Sequence, residues 1–180
     1  LEYATLIYLT LPYFLFWMNY FKLAYAVIFS ILAIFGLYGA ISFYRQNETF
    51  PGISCDLSQK YRVILILSLL GITFLWLYLS GVGGLWYQNV DYEKHNAIFH
   101  DLTNLEWPVN YQDAAGNTYY LCYYLAYYLV PAFVGKLTNI SFGYAFSFLW
   151  ALSGLWLTVN WIYKLASRRS IWIIIFFVFF

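Results

Sequence analysis

The stretch "NVDYEKHNAIFHDLTNLEWPVNYQD", residues 89–113, carries the side chains best able to do chemistry. It holds five of the eight acidic residues and both histidines of a 180-residue chain, with Lys94 as its only formal positive charge. Asp91 and His95 stand four apart, so on a helix they share a face. Glu93, Asn96 and His100 fall on neighbouring faces. Asp101, ten residues after Asp91, returns close to the same side after about three turns. A carboxylate beside an imidazole can act as a general base or hold a divalent metal, with Asp91 the first metal candidate. No His-Glu-x-x-His or paired-cysteine spacing is present, so a zinc signature is excluded.

These residues need an ordered element to hold them. "DYEKHNAIFHDL" reads as a short helix, with Asp91 as its N-cap and Ala97, Ile98 and Leu102 as its apolar contacts. "GVGGLWYQNV" leads into it, and its glycines permit a tight turn. "EWPVNY" ends it, because Pro108 disfavours a helical Trp107. Trp86, Trp107 and Tyr111 flank the helix as aromatics able to anchor at a membrane surface or to stack on sugar rings.

The rest of the chain is a different material. It is 63% hydrophobic, 25% aromatic and 9% charged, against about 25% charged in an average soluble domain. That composition indicates an all-α, polytopic membrane helix bundle. The net charge of +1, without a basic patch, gives no footing for nucleic acid. Four apolar stretches, residues 3–18, 23–43, 63–80 and 142–163, read as spans. A fifth from Ile171 runs into the end of the chain, which is expected to be the N-terminal piece of a longer protein. Residues 1–60 read as a transmembrane hairpin with a cytoplasmic loop, and 61–180 as a second module with a long structured outer loop at 81–141. Cys55 and Cys122 fall on opposite sides in this layout, which disfavours a disulfide.

Basic residues orient the spans, because cytoplasmic loops are rich in Lys and Arg. Arg45, Lys60 and Arg62 mark one inner loop; Lys164, Arg168 and Arg169 mark another. The acidic loop then lies outside, and an odd number of crossings separates it from Lys164. "TYYLCYYLAYYLVPAFVGKL", residues 118–137, is therefore expected to be a second juxtamembrane helix, the alternative being a true span with a Tyr-rich face packed on its neighbours. Its tyrosine pairs recur every four residues and would form one broad stripe at the outer interface.

From Val63 to Phe180 the layout resembles the start of a multispanning GT-C-type glycosyltransferase, an enzyme class that uses polyprenyl-phosphate-linked sugars. "DYEKHNAIFHDL" takes the place of that family's acidic loop motif. "TYYLCYYLAYYL" takes the place of its second loop helix, and "KLTNISFGYAFSFLWALSGLWLTVNWIYKLASRRS" that of its return span and basic turn. Tyr92 stands where the family commonly has a second acid, and its Pro-Pro pair is absent. The "QN-D-KHNAI-DL-WPV-Y" pattern also resembles a group of bacterial membrane proteins related to these transferases. The resemblance implies sugar transfer from a polyprenyl phosphate to an unknown acceptor on the outer face of a bacterial cell membrane. Asp91 would be the catalytic carboxylate, or the ligand of any divalent metal, with Glu93, His95, His100 and Asp101 in supporting roles. A transporter or channel component, and a non-catalytic envelope assembly protein, are the alternatives. The four apolar stretches contain no internal acid or base of the kind that marks ion pathways, and Tyr92 is the feature that favours the non-catalytic reading.

Overall fold

The computed structural model describes residues 1–46 and 59–165. The chain is mostly helical, in the order α1 (Glu2–Tyr20), α2 (Leu23–Gln46), α3 (Gln59–Leu79), α4 (Asp91–Asn104), β1 (Asn110–Gln112), β2 (Thr118–Tyr120), α5 (Ala126–Leu137) and α6 (Ile140–Leu165). The apolar stretches at 3–18, 23–43, 63–80 and 142–163 each form a long helix. The stretch from Ile171, together with Cys55, Arg168 and Arg169, lies outside the described residues. Among the described residues, two helices are long and apolar enough to cross a membrane, α2 and the Ile140–Ile162 part of α6.

Packing sets the directions of the helices. A short link through Phe21 joins α1 to α2, and Trp17 and Phe29 meet across it at 5.7 Å, which makes the two helices antiparallel neighbours. Against α6, α1 runs antiparallel. Thr5 accepts the indole N–H of Trp161 at 2.8 Å, and Tyr8 stacks on Trp150 at 4.1 Å. A Cβ at Gly154 would overlap the Tyr8 ring, so that glycine makes the contact possible. Helix α3 is antiparallel to α6 as well, with Leu69 beside Val159 and Phe74 edge-on to Phe148 at 5.4 Å. The C-terminal ends of α1 and α3 and the start of α6 thus lie at one end of the molecule.

Residues 81–139 are gathered at that end around their own apolar core. One face of α4 supplies Ile98, Phe99 and Leu102, and α5 supplies Tyr128, Leu129 and Ala132. Leu15, Phe16 and Tyr20 of α1 close the cluster from below. Leu102 and Leu129 are fully buried, each contributing about 1.5–3 kcal/mol by burial. Helix α5 meets α6 almost backbone to backbone: a Cβ at Gly143 would lie 3.0 Å from the Gly135 Cα and 3.1 Å from the Phe99 ring. Asn139 caps α6 by accepting the Phe142 N–H at 2.9 Å.

The second loop element differs from the single helix expected over 118–137. Thr118, Tyr119 and Tyr120 pair antiparallel with Gln112, Tyr111 and Asn110, and the helix begins only at Ala126. Thr and Tyr suit a pleated strand, and the turn before them closes the hairpin. Asp113 accepts the N–H groups of Ala115 and Asn117 and the Asn117 side-chain amide, each at 2.9 Å. Of the six tyrosines in the expected stripe, only Tyr127 and Tyr128 lie on a helix.

The bonds from Asn117 foremost hold the Asp113 carboxyl below the usual carboxylate range. A depressed folded pKa stabilises the turn above the unfolded value of about 3.9 and loses that effect as pH falls through the lowered one. Asp113→Ala is therefore expected to speed hydrogen exchange at the Ala115 and Asn117 amides at neutral pH while leaving helical circular dichroism unchanged. Unaltered exchange at both amides would contradict this role.

Candidate functional site

A cavity of about 360 Å³ opens where the α3–α4 link, α4, α5 and α6 meet. Helix α4 contributes Asp91, His95 and Asn96, and the link contributes Gly83, Gln88 and Asn89. Tyr127 and Tyr128 come from α5, and Tyr144 and Ser147 from α6.

The link is held tightly. Gly81 and Gly83 have φ of +83° and +76°, a region that favours glycine. Gln88 donates its amide to the Gly81 carbonyl at 2.8 Å and accepts from the Asn96 amide at 2.8 Å. Tyr92 reaches back to donate to the Ser80 carbonyl at 2.6 Å. Together these bonds fix the first turn of α4 against the end of α3.

Asp91 is the first residue of α4; the cap position falls to Val90, which makes no side-chain cap bond. Asp91 and Glu93 both lie in the first turn, where the positive end of the helix dipole favours carboxylates. One turn on, the His95 Nδ1 lies 2.5 Å from the Tyr128 hydroxyl, and its ring stacks on that of Tyr128 at 6.1 Å. The rings of Tyr92 and Tyr123 stand edge-on to His95 at 5.9 and 6.3 Å. Burial pushes the Tyr128 phenol up to about 12 and raises that of Tyr127 as well, so both are neutral hydroxyls. Lys94 points its ammonium over the Tyr123 ring at 5.2 Å, and interaction with the Tyr123 hydroxyl raises its pKa.

The structure divides the sequence-predicted residues. Asp91 and His95 line the cavity, and Glu93 lines a polar depression beside it that shares Gln88, Asn89 and Asn96. His100 and Asp101 do not join them. Asp101 accepts from the Tyr111 hydroxyl at 2.6 Å and lies 3.2 Å from the His100 Nδ1. This ties the hairpin to the far half of α4. Tyr111 is pushed up to about 12, by burial first and then by Asp101. Asp101 does not join Asp91 because ten residues set it about 15 Å further along α4, where Tyr111 of the hairpin bonds it. Trp107 donates to the Leu102 carbonyl at 2.7 Å and packs between Tyr20 and Phe133, which makes it a core residue. Trp86 is exposed and rests against Tyr78 at 5.3 Å. Neither lines the cavity.

Asn96, placed by the helical repeat on a face next to His95, lines the cavity, as do Gln88, Tyr127, Tyr128, Tyr144 and Ser147, which the sequence did not single out as site residues. Asn96 had a signal in its place beside His95; Tyr144 and Ser147 sit inside an apolar run and had none. The lining as a whole offers one carboxylate, one imidazole, three amides and several hydroxyls, without a cationic side chain. That set offers hydrogen-bond donors and acceptors against aromatic walls. Among the described residues no three His, Cys, Asp or Glu side chains cluster to hold a metal. Asp91 and His95 alone do not supply the six or more oxygen ligands of a calcium site. No family model, curated protein or solved structure matches the chain.

Proposed function

We propose that the protein is a multi-pass membrane glycosyltransferase of GT-C type. It takes a sugar from a polyprenyl phosphate and delivers it to an acceptor hydroxyl on the outer face of a bacterial cell membrane. The observation that carries this reading is the cavity at the end of the helix bundle, with Asp91 in its wall among amides and tyrosines. In the reaction the acceptor O–H gives its proton to the Asp91 carboxylate, and the oxygen attacks the anomeric carbon. The bond from that carbon to the phosphate oxygen breaks, and polyprenyl phosphate leaves with the electron pair. Asp91 supplies general-base help, worth about 10²–10⁴-fold in rate.

Membrane placement is supported by exposed apolar surface. Only 11% of the α2 apolar window and 17% of that of α6 are buried, and exposed apolar surface of this extent supports a membrane setting. The antiparallel packing of α1, α3 and α6 agrees with the crossing count that puts the polar cap outside and Arg45 inside. Lipid tails then surround the helices, and the prenyl chain of the donor shares that space.

Two experiments test the reading. Deleting the gene is expected to remove one sugar from an envelope glycan, read as a mass loss by spectrometry; an unchanged envelope profile overturns it. Thr138, exposed at the α5–α6 junction, is expected as Thr138→Cys to react with an impermeant maleimide from outside the cell, in a background with Cys55 and Cys122 replaced. Labelling only after lysis contradicts the topology.

A further inference from the structure

The contact between His95 and Tyr128 has a donor and an acceptor, and burial decides which is which. The Tyr128 residue is 7% exposed, and the His95 Nδ1 is the partner found for its hydroxyl among the described residues. If the ring N–H donated to the phenol oxygen, the phenol proton would have no acceptor among the described residues. The phenol holds its proton firmly, since burial raises its pKa to about 12. The hydroxyl therefore donates and Nδ1 accepts. A neutral imidazole has one N–H, so that proton sits on Nε2, the ring nitrogen left for a ligand in the cavity.

We propose that Tyr128 is a positioning residue that locks His95 in its Nε2–H tautomer, so that His95 meets the ligand as a hydrogen-bond donor while Asp91 meets it as an acceptor. The two side chains are one turn apart on the same face of α4, about 5–6 Å between Cβ atoms. An alcohol oxygen satisfies both at once: its proton goes to Asp91, and a lone pair takes the His95 N–H. A protonated amine has no lone pair for His95. An ammonium would instead pair with Asp91 and occupy the base, so a hydroxyl is the acceptor that Asp91 and His95 together can activate. The acceptor assignment rests on the transferase reading; the tautomer lock does not.

The test is ¹⁵N NMR of the full protein in lipid nanodiscs, labelled at histidine and carrying His100→Gln, with the His95 signals assigned by their loss in His95→Gln. Two-bond proton–nitrogen correlations of the neutral ring are expected to give a protonated Nε2 and a bare Nδ1. Tyr128→Phe is expected to release a several-fold larger Nδ1–H population. A dominant Nδ1–H form in the unsubstituted protein, or the same tautomer ratio in Tyr128→Phe, overturns the lock. In the same sample n-octyl glucoside is expected to move the Nε2 resonance further than n-octylamine; equal or reversed responses overturn the acceptor assignment. A locked tautomer in a protein that fails to turn over donor would sink the transferase reading alone.

Discussion

Asp91→Asn is expected to cut sugar transfer by on the order of 10²–10⁴-fold without unfolding the protein. Asn keeps the size of the side chain and loses the basic oxygen. The side chain is exposed at the cavity wall and sits at a helix start with no capping bond to lose, so stability changes little. Complementation of a deletion strain reads the effect: wild type restores the envelope glycan, and Asp91→Asn leaves it absent at equal protein level. Full restoration by Asp91→Asn would remove the catalytic role from this residue. Asp101→Asn is the matched control. Its carboxylate bonds Tyr111 rather than lining the cavity, so transfer is expected to change less than about tenfold, far short of the general-base effect.

The second large effect belongs to a residue with no chemistry of its own. Gly83→Val is expected to destabilise the protein by about 2–5 kcal/mol, from the left-handed backbone and overpacking together. Gly83 has φ of +76°, and a Cβ there would stand 2.8 Å from the Tyr144 carbonyl and 3.1 Å from the Phe148 Cβ. Both obstacles belong to α6, so relief requires the α3–α4 link to lift away from α6. That movement opens the cavity wall formed by Gly83, Gln88 and Tyr144. The measurement is thermal unfolding of the purified variant in lipid nanodiscs, followed by helical circular dichroism. An unfolding midpoint equal to that of wild type would contradict the close packing of the link. Gly84→Ala is the control: that glycine also has positive φ, at +73°, but open space where a Cβ would stand. It is expected to cost about 1–2 kcal/mol from backbone strain alone.

Much of this fold was legible because long helices announce themselves in local composition. The apolar runs, the Gly-rich link and the stop before Pro108 are short-range signals, and each falls where the helices begin, turn or end. The pairing of Asp91 with His95 on one face was also legible, since it needs only the helical repeat. What could not be read was anything set by contacts far apart in the chain. The tyrosine repeat at 119–128 has helical spacing, yet four of its six tyrosines lie in or just past a strand, because residues 110–112 compete for its backbone. The Tyr128 partner of His95 is 33 residues away, and the chain bends at 121–125 to bring it there. The same hairpin diverts Asp101 to Tyr111, which is why five acids in one loop resolve into one cavity carboxylate, one turn-forming Asp113 and others at the surface. Trp107 looked free to stack on a sugar and is instead held by the Leu102 carbonyl, a bond that only the end of α4 defines.

The central claim is that a sugar leaves its polyprenyl phosphate at the Asp91 cavity. The most direct measurement incubates the purified full-length protein in nanodiscs with polyprenyl-phosphate-linked sugars and an envelope extract as acceptor, and follows free polyprenyl phosphate by mass spectrometry. Wild type is expected to release polyprenyl phosphate with time, and Asp91→Asn only at the background rate. Intact donor with the wild-type protein, or equal release by the two, would contradict it.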